Sequence, residues 1–173
     1  MFFKILTSAI IIVGCTLLGM IYGNQFNKRM LLLQQLQNGM QQLENYITYS
    51  ASPLPEAFEK IGHSLANSIG DFFLEVSNQL KTKKGMSMER IWEMTVKNFI
   101  MVGSLKNDDY LLLKDIGTTL GTTDRMNQKK NLELLQYQLK DQLKRAEQEK
   151  IKKQGLFRSL GVLSGITIAI LLF

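Results

Sequence analysis

Two long apolar runs bracket a middle region in which apolar residues recur at helical spacing. From Ile5 to Gly23 the chain reads ILTSAIIIVGCTLLGMIYG, with no charged side chain. Those 19 residues rise roughly 28 Å as an α-helix, enough to cross the hydrocarbon core of a bilayer. At the other end, LFRSLGVLSGITIAILLF from Leu156 to Phe173 holds one charge, Arg158. The 15 residues from Ser159 onward span about 22 Å, so crossing requires Arg158 to snorkel to the headgroups or the bilayer to thin. The alternative is a terminal hairpin helix packed on a soluble core; a membrane span is the expectation.

Between the runs, Phe26, Met30, Leu33, Leu36, Met40, Leu43 and Ile47 recur at steps of three and four, which places an apolar stripe along a helix continuing from the first run. Ser52-Pro53-Leu54-Pro55-Glu56 breaks that helix and starts another, because proline fits a first turn and Glu56 suits its positive end. Leu54, Phe58, Ile61 and Leu65 form the inner face of this second helix. Ile69, Phe72, Phe73, Val76 and Leu80 line a third, ended by the basic turn Lys81 to Gly85, with Gly85 as its C-cap. Ser87 and Asn107 are placed to cap two more. The first of these presents Met88, Ile91, Trp92, Thr95, Phe99 and Val102, the second Tyr110, Leu111, Leu113 and Ile116. The last and longest helix begins near Thr123-Asp124 and carries Met126, Leu132, Leu135, Leu139, Leu143 and Ala146 toward Gly155. Alternating strand patterns are absent. The fold class expected is all-α, an antiparallel bundle of about six helices flanked by N- and C-terminal transmembrane helices. The expected divisions are 1–24 for the first membrane helix, 25–155 for the helical domain and 156–173 for the second membrane helix.

Charge adds orientation to this picture. The chain has 21 Lys and Arg against 15 Asp and Glu, a net charge of +6. Lys28 and Arg29 follow the first run, and Lys150, Lys152, Lys153 and Arg158 lead into the second. Basic residues beside a span tend to stay on the cytoplasmic side, so these six are the topology determinants and the middle domain is expected in the cytoplasm. Anionic headgroups account for the positive excess, and nucleic acid is not needed to explain it. A competing reading takes Lys4 and the first apolar residues as a secretory signal, with Ile12-Val13-Gly14-Cys15 as a lipoprotein cleavage box and Cys15 acylated. Against it, the apolar run continues from Thr16 to Tyr22, where an exported chain would turn polar.

Candidate chemistry is sparse. One cysteine, Cys15, and one histidine, His63, cannot build a disulfide, a CxxC redox pair or a Cys/His zinc site within one chain. His63 is read as structural. The carboxylate pairs Glu56/Glu59, Glu89/Glu93 and Asp108/Asp109 lie in or near first helical turns, where the helix dipole favours acids. The string Gly117-Thr-Thr-Leu-Gly121-Thr-Thr-Asp124 could offer backbone N–H groups to a phosphate, but no lysine follows at Walker A spacing. It is read as a helix end and turn. Trp92 is read as core. Neither catalytic, cofactor-binding nor metal-ligating residues emerge, and the chain is expected not to be an enzyme.

Three strings in order, YSASPLPEAFEKIG (Tyr49 to Gly62), LGTTD (Leu120 to Asp124) with Gln128 one turn on, and RSLGVLSG (Arg158 to Gly165) before the final apolar tail, resemble the stage III sporulation protein AB family. The resemblance covers essentially the whole chain. It implies membership of a secretion-like complex that endospore-forming bacteria build between mother cell and forespore. The implied fold is similar to the cytoplasmic domain of type II secretion inner-membrane F proteins and type IV pilus platform proteins. The implied role is a non-catalytic platform in the mother-cell membrane facing the forespore, its domain in the mother-cell cytoplasm. The implied partners are the stage III sporulation protein AA ATPase and other membrane proteins of the same operon. Secretion F proteins carry two such domains and this chain one, so the resemblance implies a homo-oligomer in which a second copy supplies the other. Neither a cofactor nor a small-molecule substrate is implied. Candidate partner contacts are Glu56, Asp124, Arg125 and Gln128. A membrane scaffold that never touches the ATPase, and a surface lipoprotein adaptor acylated at Cys15, are the alternative functions.

Overall fold

The computed structural model describes residues 2–50, 52–65, 67–83, 85–102, 104–120 and 125–172. Their order is α1 (Phe2–Asn45), a π-helical turn (Tyr46–Ser50), α2 (Leu54–Ser64), α3 (Asn67–Thr82), α4 (Met88–Val102), α5 (Asn107–Thr119), α6 (Arg125–Glu149), a second π-helical turn (Lys150–Gln154) and α7 (Gly155–Leu172). The protein is all-α, and no strand occurs among the described residues. The chain divides into two compact units, Met1–Met30 with Lys144–Phe173, and Leu31–Leu143.

The first unit pairs the N-terminal part of α1 with α7. Two helical segments, Leu6–Ser50 and Lys129–Leu172, contain stretches long and apolar enough to cross a membrane. Glycines set how closely the two helices approach. A Cβ on Gly19 would lie 2.5 Å from the Phe157 carbonyl oxygen, one on Gly161 2.7 Å from that of Cys15, and one on Gly165 2.9 Å from Ile12 Cα. Backbone therefore meets backbone, as small-residue spacing on both helices permits. The falling partner numbers against rising ones make the pair antiparallel. Leu6, Ile10, Val13, Leu17 and Ile21 on α1, and Leu160, Leu163, Ile170 and Leu171 on α7, remain exposed. An apolar surface of this kind is compatible with membrane association.

The second unit buries the expected stripe of α1, with Leu33, Leu36, Met40, Leu43 and Ile47 in the core. Pro53 and Pro55 flank the first residue of α2 as anticipated, since an N-terminal turn needs no amide donor there. Phe58, Phe72, Phe73 and Trp92 form an aromatic cluster with ring centroids 5.1–6.4 Å apart. The Trp92 indole N–H donates to the Leu113 carbonyl at 2.6 Å, satisfying the polar edge of a fully buried side chain. Ser77 donates to the Pro55 carbonyl at 2.7 Å and ties α3 to the start of α2.

Several local expectations are corrected. Leu111 is 52% exposed, and Val96, not assigned to the core from the sequence, is fully buried. Both follow from a helix phase set by Trp92 and Leu113 rather than by the nearest apolar letters. Leu54 and Leu65 are half-buried rather than core. Asn107 is the first residue of α5 and not its cap. Lys106 holds the cap position, and the buried carboxylate of Asp109 accepts its backbone N–H at 2.8 Å. Ser87 does cap α4, its hydroxyl accepting the Arg90 N–H at 3.3 Å. Gly85, at φ +95°, occupies the left-handed conformation expected past the end of α3. The predicted start of the last helix at Thr123-Asp124 lies outside the described residues, and α6 runs from Arg125.

Candidate functional site

The basic residues beside the apolar runs gather at one end of the α1–α7 pair, in three different environments. Lys28, Lys152 and Lys153 are exposed. Lys153 stands 5.4 Å over the Phe26 ring, a cation–π contact. Phe26 and Tyr22 both stack on Phe157, with centroids 5.9 and 6.3 Å apart. Aromatic rings at the ends of apolar spans are favoured at headgroup depth, where one edge can stay wet.

Arg29 differs from its neighbours. Its side chain is 5% exposed and donates to Glu149 at 2.9 Å, the carboxylate being 28% exposed. Glu149 precedes the Lys150–Gln154 turn, so this ion pair clamps α1 to the end of α6 within the first unit. Sequence reasoning grouped Arg29 with the free topology charges and missed its partner, because 120 positions separate the two and no periodicity links them.

Lys150 and Arg158 line an open groove of about 580 Å³ with Met20, Gly23, Asn24, Ile151, Gln154 and Gly155. The Gln154 amide lies 3.5 Å from the Asn24 amide oxygen across it, and Lys150 Nζ lies 3.8 Å from Met30 Sδ. No carboxylate is among the lining residues. Gly23 is buried, and a Cβ there would come 3.2 Å from the Gln154 carbonyl oxygen, so the groove floor is backbone.

Of the candidate partner contacts, only Glu56 has a described side chain. Glu56 is exposed in the first turn of α2. Arg125 and Gln128 lie in the first turns of α6, and their side chains are outside the described set, as is all of Asp124. Other polar groups named from the sequence have structural occupations. Glu59 accepts from Lys81 at 2.7 Å, and that hydrogen bond and charge hold its carboxyl below the usual range. Lys114 pairs with Glu93 at 2.7 Å, which raises the ammonium's affinity for its proton. His63 is exposed in the last turn of α2. Gly117 packs where a Cβ would come 2.7 Å from the Trp92 ring, and Thr118 and Thr119 donate to the Asp115 carbonyl at 2.8 and 3.3 Å. The described half of the glycine–threonine string thus closes α5, while Gly121 to Asp124 lie outside the described residues. Cys15 sits inside the continuous helix α1, with Ile12 and Gly19 on either side packed against α7.

Comparisons with known proteins agree with one another. The family model described as stage III sporulation protein AB matches residues 4–173. Stage III sporulation protein AB of Bacillus subtilis (strain 168) is 33% identical over 169 residues, covering 98% of each chain. A solved structure of a stage III sporulation protein AB superposes with a TM-score of 0.68 at 34% identity, covering 72% of this chain and 98% of the other.

Proposed function

The chain belongs to the stage III sporulation protein AB family, and we propose that it is a non-catalytic membrane platform of the sporulation channel between mother cell and forespore. Its apolar α1–α7 pair spans the mother-cell membrane facing the forespore. Its helical unit 31–143, similar in kind to a type II secretion F domain, stands in the mother-cell cytoplasm and links the stage III sporulation protein AA ATPase to membrane subunits of the same complex. A second copy of the chain could supply the second domain that secretion F proteins carry.

One observation carries the topology. The basic residues 28, 29, 150, 152, 153 and 158 lie at the same end of the antiparallel pair, through which the chain enters and leaves the 31–143 segment. Charge at that end keeps it on the cytoplasmic side. The lipoprotein alternative fares worse on the same helices. Cleavage before Cys15 would remove Ile12, whose backbone packs against Gly165, and would expose the glycine face of α7.

The test joins topology to partner. In protoplasts of non-sporulating cells that express the chain, whose single membrane faces the medium, a tag after Lys28 is expected to resist external protease while a C-terminal tag is cleaved. The full chain in lipid nanodiscs is then expected to retain the purified ATPase, and charge reversal at Glu56 or Arg125 to weaken that retention. A cleaved internal tag overturns the platform. A protected tag with no ATPase retention leaves a membrane scaffold of the same complex.

A further inference from the structure

We propose that the groove between Gly23–Asn24 and Lys150–Arg158 binds a phosphate group, presented by an anionic phospholipid at the cytoplasmic face. The inference rests on the membrane reading of α1 and α7 and adds a defined ligand site to it.

The lining separates into two kinds of surface. Met20, Gly23, Ile151 and Gly155 are apolar or bare backbone, whereas Lys150, Arg158, Asn24 and Gln154 carry N–H donors, the Gln154 amide resting on Asn24 and the Lys150 ammonium on the weakly accepting Met30 sulfur. A phospholipid headgroup has the same division, with an anionic phosphodiester above a glycerol and acyl stem. Two full positive charges and no carboxylate line the opening, so the local field attracts an anion. An arginine and a lysine together suit a phosphate, the guanidinium offering a fork of donors and the ammonium a compact charge. At about 580 Å³ the groove is within the usual range of small-molecule sites, roughly 300–1,000 Å³.

Depth fits as well. Gly23 ends the uncharged first run and Arg158 precedes the uncharged remainder of the second, so the donors stand where headgroups lie. The stacked Tyr22, Phe26 and Phe157 mark the same level. Arg29, six residues past Gly23, is already taken by Glu149. Lys28 and Lys152 do not line the groove and provide matched controls for charge alone.

The experiment uses the full chain. Flotation with phosphatidylcholine vesicles and resistance to carbonate extraction test membrane insertion by itself. Native mass spectrometry of the detergent-solubilised chain then measures retention of cardiolipin or phosphatidylglycerol against phosphatidylcholine. K150Q/R158Q is expected to insert normally and to bind anionic lipid roughly 30-fold more weakly, the effect of two interfacial charges. K28Q/K152Q is expected to change retention by less than about threefold, since exposed charges are strongly screened. K150R/R158K keeps both charges and is expected to restore binding, which separates a site defect from misfolding. Equal losses in the two glutamine pairs, or no anionic preference in the native chain, would overturn the site while leaving the membrane reading standing. Failure to float with neutral vesicles would overturn both. Displacement of the lipid by millimolar inorganic phosphate or glycerol 3-phosphate would reassign the groove to a soluble phosphate and overturn the lipid proposal.

Discussion

The packing of α1 on α7 can be tested through the chain's single thiol. A Cβ built on Gly165 lies 3.2 Å from the Cβ of Cys15 and 2.9 Å from Ile12 Cα. A disulfide needs a Cβ–Cβ distance of about 3.8 Å, so G165C requires the helices to part by roughly 0.6 Å. The same movement relieves the contact with Ile12, and oxidation and steric relief therefore act in one direction. The bridge would close a loop of about 150 residues, for which the chain-entropy model sets an upper stabilisation near 5 kcal/mol. Membranes containing G165C are oxidised with copper phenanthroline and cleaved with cyanogen bromide. Because methionine stands at positions 1, 20 and 126 and none follows, residues 2–20 and 127–173 are released as separate fragments unless bridged. The expected product is those two fragments linked, and separable by reductant. L163C, on an exposed face of α7, should give no intrachain link. An unlinked G165C, or a linked L163C, would refute the glycine-mediated crossing and with it the groove beside it.

Three further outcomes follow from the 31–143 unit. A Cβ on Gly70 would meet the Leu65 carbonyl oxygen and come 2.8 Å from that of Gly62. G70A therefore gains about 1 kcal/mol of helix propensity but incurs a larger overpacking cost, and thermal melting in detergent should show a net loss of about 1–2 kcal/mol. D109A removes the carboxylate that accepts the Lys106 N–H; a loss near 1 kcal/mol is expected, with faster amide exchange confined to the start of α5. The two surface pairs make stability weakly pH-dependent at the extremes. Glu59 has a lowered folded pKa, so its contribution is present above the ordinary carboxylate value of 4.5 and fades as acid protonates it below that value. Lys114 has a raised one, so its contribution is full below 10.5 and fades above it. The melting temperature should stay flat between about pH 6 and 9, since exposed pairs contribute little; a sharp step there would mean that another group controls folding.

Elements whose partners lie on the same helix were legible in the sequence. The stripe from Leu33 to Ile47 is buried as its spacing required, the two prolines mark the start of α2, and Ser87 caps α4. Periodicity fixes which face turns inward but not what it meets. Leu111 was placed on the inner face and Val96 was left off it, although Trp92 and Leu113, which meet across 21 residues, were both assigned to that face. At the candidate site the basic cluster was legible from proximity to the apolar runs, and its internal differences were not. Arg29 and Lys28 are adjacent letters, yet one is buried against Glu149 and the other is exposed. Charge counting cannot separate them, because the distinction comes from long-range pairing. Asn24 and Gln154 carried no signal at all, as single amides at helix surfaces are ordinary.

Lys150, Ile151, Gln154, Gly155 and Arg158 line one groove from a single helix face that includes the π-helical turn at Lys150–Gln154. In a regular α-helix, eight residues advance about 800°, so Lys150 and Arg158 would stand about 80° apart around the axis. That angle lies within the arc of the lining face, and a turn closed by i→i+5 hydrogen bonds, which takes up an additional residue, narrows it further. Both side chains then line the opening beside Gly23. The same segment begins directly after Glu149, whose pairing with Arg29 fixes the register just before the wider turn. On the far side, Phe157, Gly161 and Gly165 meet α1 at backbone distance and fix the register after it. A wider helical turn held between two such anchors is not slack. It stands between the ion pair and the glycine crossing, with Lys150 and Arg158 both on the groove side.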